Sequence, residues 1–510
     1  MNSRNKIILK NSLWLYLRMI VITIISLYTS RIVLQALGVD DFGIYNVTSG
    51  VIAFLSVLTT TMTNSTQRFL NTKKGENDAV GLTKVFNISV SIHTLLALGL
   101  LLVAETIGLF FVMKVLVFPQ ERYIAAVLTY QAAIFTLFFS ILKIPFTSLV
   151  ITYEKFDFMA LISLIDVVVK LALVFSLLYI SWDKLILYAW YFALLSLIQF
   201  WIYTLYTKKW YEKICLLKPT QLLQDKESRS LISFSSWNLL GNFSNTLANQ
   251  GIAVIFNLYY ALVVNAALGI TNQVTNTIAT FVNNVQLAFR PQLLQSYSYS
   301  DKSVFLQLLY NSSKWSFYLI MLVGIPFICN LDWIMKIWLV NVPEYAVQFV
   351  FILFFFLVID TVGVPLFYAL EAEGHIKKFQ ICNSMMMLLN FLIAWLFCYL
   401  ALSPVYAILS KLVTNVVVYF IKVYFLKKNT SCFNLASYYQ NCLKPIFRVS
   451  LFLFAFFYVF YTPTSNISHF ATSSVCFLAI YPVIVILLGM NNEERTTVKK
   501  IVFNHGRRNE

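Results

Sequence analysis

Runs of about twenty residues with few or no charges recur about fourteen times along this 510-residue chain, and that is the length a helix needs to cross the hydrocarbon layer of a bilayer. The first is representative: between Asn11 and Ser30 only Arg18 is charged. Such a pattern specifies an all-α polytopic membrane protein. It leaves channel, carrier and membrane-embedded enzyme as the function classes, and makes the few charges inside the apolar layer the candidates for its chemistry.

Composition excludes the alternatives. Only 12% of the residues are charged and 59% are hydrophobic, against about 25% charged in soluble proteins. A net charge of +16 raises the question of nucleic acid, but the Lys and Arg are spread in small groups between apolar runs and form no face, so no nucleic-acid partner is expected. The seven Cys show no C-x-x-C spacing and the four His are scattered, so no metal, cofactor or disulfide framework is expected. The first apolar run is too long for a cleavable signal and lacks a small-residue cleavage site.

A window of about 20 residues places helices near 11–36, 43–66, 85–112, 123–147, 159–180, 185–206, 231–258, 264–288, 304–330, 346–370, 379–402, 404–426, 447–462 and 470–489, the thirteenth being short. With the N-terminus inside, the inner segments hold nearly all the loop cations, such as Arg68, Lys73, Lys74, Lys208, Lys209 and Lys427. The outer loops hold only Lys114, Arg122, Lys184 and Lys336. The positive-inside rule therefore puts both termini in the cytoplasm. The outer loops, longest near 331–345 and 462–470, leave no room for an external catalytic domain, which favours a transporter over an enzyme. Asp40 and Asp41 sit in a short outer turn; an acidic pair there suits a metal, but a solvated turn capping the next helix is the plainer expectation.

Two parts of the chain look alike at an offset of about 225 residues: Asn11-Ser12-Leu13-Trp14 with Ala36-Leu37-Gly38-Val39-Asp40, and Ser235-Ser236-Trp237-Asn238 with Ala266-Ala267-Leu268-Gly269-Ile270. An even number of intervening helices makes the repeat parallel, with a cavity between pseudo-symmetric lobes. Polar stripes support a cavity. Asn238, Asn242, Asn245 and Asn249 are spaced by 4, 3 and 4 residues, within an arc of about 60° on a helix. Asn272, Asn276, Asn283 and Gln286 form a similar stripe, and so do Ser49, Ser56, Thr60, Thr63 and Gln67. Interhelical hydrogen bonding is the competing explanation. Four amides on one face need more partners than a dry interface offers, so a wet cavity is the better reading.

The intramembrane charges are Arg18, Arg31, Asp166, Lys170, Asp360 and Lys411. Each costs at least about 2.5–3.5 kcal/mol at the bilayer centre unless paired or hydrated. Asp166 and Lys170, four residues apart, suit a salt bridge as well as a transport role. Arg18 has no acidic neighbour in sequence, so its counter-ion comes from another helix or from a substrate. Lys314 and Lys422 lie near helix ends, where snorkelling is the default.

Asn11-Ser12-Leu13-Trp14, Ala36-Leu37-Gly38-Val39-Asp40-Asp41-Phe42-Gly43-Ile44-Tyr45-Asn46 and Thr66-Gln67-Arg68-Phe69-Leu70, together with the helix count, resemble the Wzx-type polysaccharide flippases of the multidrug, oligosaccharidyl-lipid and polysaccharide exporter superfamily. The resemblance implies about 14 transmembrane helices: two six-helix lobes in a V shape (1–206 and 231–426) joined by a cytoplasmic linker (207–230), then two C-terminal helices (427–490); the polar, basic composition of 491–510 predicts a disordered cytoplasmic tail. It also implies alternating access for undecaprenyl-diphosphate-linked oligosaccharide in the bacterial inner membrane, serving O-antigen, lipopolysaccharide or other surface polysaccharide biosynthesis beside the polymerase machinery. On that reading Arg18, Arg31 and Lys170 pair with the diphosphate, Asn238, Asn242, Asn245, Asn249, Asn272 and Asn276 meet the sugars, and Asp166 and Asp360 are candidates for ion coupling. The competing readings are a cation-coupled multidrug exporter, for which intramembrane cations are a poor fit, and a membrane-embedded glycosyltransferase or polymerase.

Overall fold

The structure, a computed structural model, describes residues 3–153, 155–212, 214–215, 246, 250–297, 302–339, 341–373, 376–430, 432–461, 466–491 and 494–496; side chains of the first helix are described from Val21 onward. Among these residues every regular element is a helix, and eleven helical segments are long and apolar enough to cross a membrane. Outward-facing side chains carry the same message: on one helix Phe447, Leu451, Phe454 and Tyr458, spaced by 4, 3 and 4 residues, are all exposed. An apolar face turned outward has hydrocarbon as its solvent.

The first helical run, Ser3–Gly75, is two helices, because Gly38 at φ 78° and ψ 175° breaks it. That backbone region is open only to glycine, so α1 covers 3–37 and α2 covers 39–75. The chain continues with α3 (Ala79–Lys114), α4 (Tyr123–Thr152), α5 (Phe156–Ser176), α6 (Lys184–Trp210), α7 (Gln250–Tyr259), α8 (Leu262–Ser296), α9 (Lys302–Cys329), the short α10 (Leu331–Trp338), α11 (Ala346–Glu373), α12 (Ile376–Tyr399), α13 (Pro404–Asn429), α14 (Leu435–Phe460) and α15 (Ile467–Gly489). The expected thirteenth span is thus not short: α14 begins twelve residues earlier than 447, because Asn434 caps its first turn by accepting from the Ala436 N–H. Most of the expected seventh span, 231–258, lies outside the described residues; its end is α7.

Among the described residues three helices contain π turns, at Ala104–Gly108, Tyr439–Leu443 and Val485–Gly489, and in two of them a tyrosine hydroxyl donates to a carbonyl of the turn. In α3 the Ala104 carbonyl of the turn Ala104–Gly108 accepts from the Tyr130 hydroxyl at 2.9 Å, and a Cβ on Gly108 would fall 2.1 Å from that hydroxyl oxygen. In α15 the turn Val485–Gly489 offers the Gly489 carbonyl to the Tyr318 hydroxyl, also at 2.9 Å. The Ala104 carbonyl accepts both the Leu109 N–H of the widened turn and the tyrosine hydroxyl, and the Gly489 carbonyl, at the end of its helix, is satisfied by the other tyrosine, as a membrane interior requires.

Backbone proximity groups the chain into two compact units: Met1–Gly269 with Leu339–Glu344 and Met387–Pro404, and Ile270–Trp338 with Tyr345–Met386 and Val405–Glu510. The division falls within α8; most of the 207–230 segment expected as the linker lies outside the described residues. Packing of α2 accounts for it. Gly43 meets the backbone of Leu262, Gly50 faces Ala253, and Asn46 lies over Gly269, so α7 and the first turns of α8 belong to the first unit. In that unit α4 packs against α2, α3 and α6. In the second, α9 packs against α11, α14 and α15 around Phe305, Leu309, Leu370 and Tyr438.

Two cations expected to snorkel are buried instead. Lys314 on α9 has no exposed side-chain surface and is held by both Glu494 oxygens, at 2.7 and 2.6 Å; Lys422 on α13 is buried 3.6 Å from Asp360. Burial wins because a carboxylate is supplied at each site. Glu494 also corrects the expected disorder at the start of the tail: residues 494–496 are helical, and Arg495 donates to the Ile486 and Leu487 carbonyls.

Candidate functional site

A cavity of about 290 Å³ opens within the first unit, lined by Tyr45 and Ser49 of α2, Thr129, Thr136 and Ser140 of α4, and Phe192 of α6. Residues 129, 133, 136 and 140 recur at spacings of 4, 3 and 4, so α4 turns one face toward it. Ala133 keeps that face open. The Thr136 hydroxyl donates to the Ala132 carbonyl at 2.9 Å, leaving its lone pairs to a guest. The Thr129 hydroxyl is buried and has no hydrogen-bond partner.

One turn beyond Ser140 on the same helix stands Lys143, the start of a polar chain. Its Nζ donates to Gln199 Oε1 (2.6 Å), Gln199 Nε2 donates to Asp166 Oδ1 (2.7 Å), and Asp166 Oδ2 accepts from Lys170 Nζ (2.7 Å). Lys170 also lies 5.2 Å from the ring centroid of Phe192, which lines the cavity. One carboxylate is therefore shared by two ammonium groups, Lys170 directly and Lys143 through an amide. Among the described residues the cluster counts two ammonium groups against one carboxylate, a net positive charge of one. Sequence reasoning missed Lys143, although the signal existed: it is the only charge between Arg122 and Glu154, the pattern that singled out Arg18.

At the end of the first unit that carries Gly38, Arg122 joins three helices. Its guanidinium donates from Nε and Nη2 to Asp41 at 2.7 and 2.5 Å, and from Nη1 to Asp183 at 2.6 Å. Asp41 is thus a partner in an ion pair, not the solvated cap of a turn. Asp183 also caps α6 through the Leu185 and Ile186 N–H groups. Burial works to raise the Asp183 carboxyl, but the Arg122 hydrogen bond and the two backbone N–H groups outweigh it and hold it below the usual carboxylate range. A lowered carboxyl stabilises the fold above its unfolded-state value, about 3.9, and loses that stabilisation as pH falls through the folded value. The acid-side loss of thermal stability of the purified protein is therefore expected to be shallower in Asp183→Asn than in the parent; superimposable stability profiles would rule out this linkage.

The other expected residues are distributed as follows. Arg31 is half-buried on α1 and makes no ion pair among the described residues. Arg18 lies on α1, but its side chain is outside the described set, and Asn238, Asn242, Asn245 and Asn249 lie outside the described residues altogether. On α8, Asn272 is half-buried and Asn276 exposed, whereas Gln286, further along that stripe, is buried and donates to Ser316 Oγ (3.1 Å) and the Thr361 carbonyl (2.8 Å). For Gln286 helix packing prevails over cavity lining. In the second unit Lys411 lies 5.1 Å from the Phe356 ring centroid, and Asp360 faces Lys422.

Comparison with known proteins adds three findings. The family model described as "Polysaccharide biosynthesis protein" matches residues 8–296, more than half of the chain. No curated protein matches the sequence. Among solved structures, the lipid II flippase MurJ in an inward closed conformation superimposes with a TM-score of 0.69 at 13% identity, over 92% of this chain and 98% of that one. A multidrug resistance MATE family transporter of the MOP superfamily, in an inward-facing conformation, gives 0.64 at 13% identity, over 82% of this chain and 99% of that one. At these identities the likeness establishes the fold.

Proposed function

This chain belongs to the polysaccharide biosynthesis protein family, and on that premise we propose that it flips undecaprenyl-diphosphate-linked oligosaccharide repeat units from the cytoplasmic to the outer face of the bacterial inner membrane by alternating access. The observation that carries the reading is a set of membrane-embedded cations that make no ion pair of their own among the described residues: Arg31, Lys411 beside the Phe356 ring, and Lys143 in its cluster with Gln199, Asp166 and Lys170. Each such charge is costly in hydrocarbon, and a passing diphosphate supplies the missing counter-charge through charge-assisted hydrogen bonds. Arg18, on α1, is a further candidate for the same role. With the cell interior negative, outward movement of the anion is helped by about 2.3 kcal/mol per charge per 100 mV.

The reading places both termini in the cytoplasm, the Arg122 cluster at the outer face, and the delivered unit in surface polysaccharide such as O-antigen, handed to the polymerase. Asp166 and Asp360 remain the candidates for ion coupling. A MATE-type drug exporter has the same fold, but uncompensated cations repel cationic drugs. Cells lacking the protein are expected to lose surface polysaccharide and accumulate the lipid-linked unit on the cytoplasmic leaflet, with unchanged drug susceptibility. Accumulation on the outer leaflet, or drug hypersensitivity with normal polysaccharide, would replace the proposal with polymerase or drug exporter.

A further inference from the structure

We propose that the cavity of the first unit is the subsite for the sugar joined directly to the diphosphate, and that it selects an uncharged pyranose; this rests on the flippase reading and adds the chemical class of the first sugar. Size is the first argument. About 290 Å³ lies at the lower edge of small-molecule sites, roughly 300–1,000 Å³, room for one ring and not for a chain of them.

Chemistry is the second. The lining contains no charged side chain; it offers the hydroxyls of Thr129, Thr136 and Ser140, the Tyr45 and Ser49 hydroxyls that also bond each other, and the aromatic faces of Tyr45 and Phe192. Hydroxyls both donate and accept, as sugar hydroxyls do, and an aromatic face suits the apolar C–H face of a pyranose. A uronate would bring a carboxylate into a lining with no cation to receive it, at a large desolvation cost. The Thr129 hydroxyl is buried without a partner, a cost that a guest hydroxyl relieves.

Register is the third. Lys143 lies three residues beyond Ser140 on the cavity face of α4, an axial rise of about 4.5 Å. A glycosyl phosphate joins ring and phosphorus through one oxygen, so a cation one helical turn from the ring site stands where the phosphate falls. Lys170, against the Phe192 ring, marks the same side of the cavity.

The test measures binding of the purified full chain to three probes: a short-chain polyprenyl diphosphate, the same lipid carrying one glucose or N-acetylglucosamine, and the same lipid carrying one glucuronate. The neutral glycosyl lipid is expected to bind about tenfold tighter than the bare diphosphate, and the glucuronyl lipid no tighter than the bare one. Thr136→Val, which removes a hydroxyl at constant size, and Ala133→Phe, which fills the space, are each expected to abolish the sugar-dependent gain while leaving bare diphosphate binding unchanged. Equal binding of bare and glycosylated lipid by the parent, or a gain that persists in both variants, overturns the proposal, the cavity then holding water only. No binding of the bare diphosphate by the parent overturns the flippase reading itself.

Discussion

Lys143→Met is expected to reduce flipping of the lipid-linked unit about ten- to hundredfold without lowering the amount of protein in the membrane. A hydrogen bond to a charged group contributes about 1.5–3 kcal/mol, and each 1.4 kcal/mol is a factor of ten. Removing this ammonium leaves Asp166 and Lys170 as a neutral pair at 2.7 Å, so the cluster loses the one charge it had to offer an anion. The fold should tolerate the change, because the partner lost is the Gln199 amide, which keeps its bond to Asp166. Asp166→Asn makes the opposite change, releasing both ammonium groups, and is expected to bind polyprenyl diphosphate more tightly than the parent. Flipping at the parental rate in Lys143→Met, or weaker diphosphate binding in Asp166→Asn, would remove the cluster from the substrate path.

Glu494→Gln is expected to destabilise the second unit by about 3–5 kcal/mol, the cost of stranding one partner of a buried ion pair. Lys314 has no exposed side-chain surface, and Glu494 is its partner at 2.6 Å. The double variant Lys314→Met/Glu494→Gln removes the stranded charge and should recover most of the loss, since an apolar replacement of a buried pair is often neutral or better. Thermal unfolding of the three proteins in detergent reads the effect. A Glu494→Gln protein as stable as the parent would mean that water reaches Lys314.

How much of this was legible in the sequence depends on the range of the signal. Span positions were readable, because hydropathy is local and an exposed bundle surface must be apolar; Gly38 announced its break by standing beside Asp40 and Asp41. The π turns were not, since Gly108 meets Tyr130 only in the folded chain. Asp41 looked like a turn residue because its partner, Arg122, is 81 positions away, and Lys314 looked like a snorkelling residue because Glu494 is 180 away. Lys143 was legible by the rule that singles out Arg18, a lone charge in a long apolar run. The Asp166–Lys170 pair was visible as a four-residue spacing, but nothing local showed Gln199 passing the same carboxylate to a second lysine. Gln286 shows the limit of stripe arguments: periodicity places a side chain on a face and does not say whether that face meets water or Ser316.

The central claim is tested most directly by reconstituting the purified protein in liposomes with a fluorescent polyprenyl-diphosphate oligosaccharide and following, with a membrane-impermeant quencher, the fraction of label exposed on the outer leaflet. With the parent chain the lipid initially confined to the inner leaflet should become quenchable over time, and with Lys143→Met it should stay protected. Equal protection with the parent chain and with empty liposomes, or equal rates for parent and variant, would contradict the claim that buried cations carry a diphosphate lipid across the bilayer.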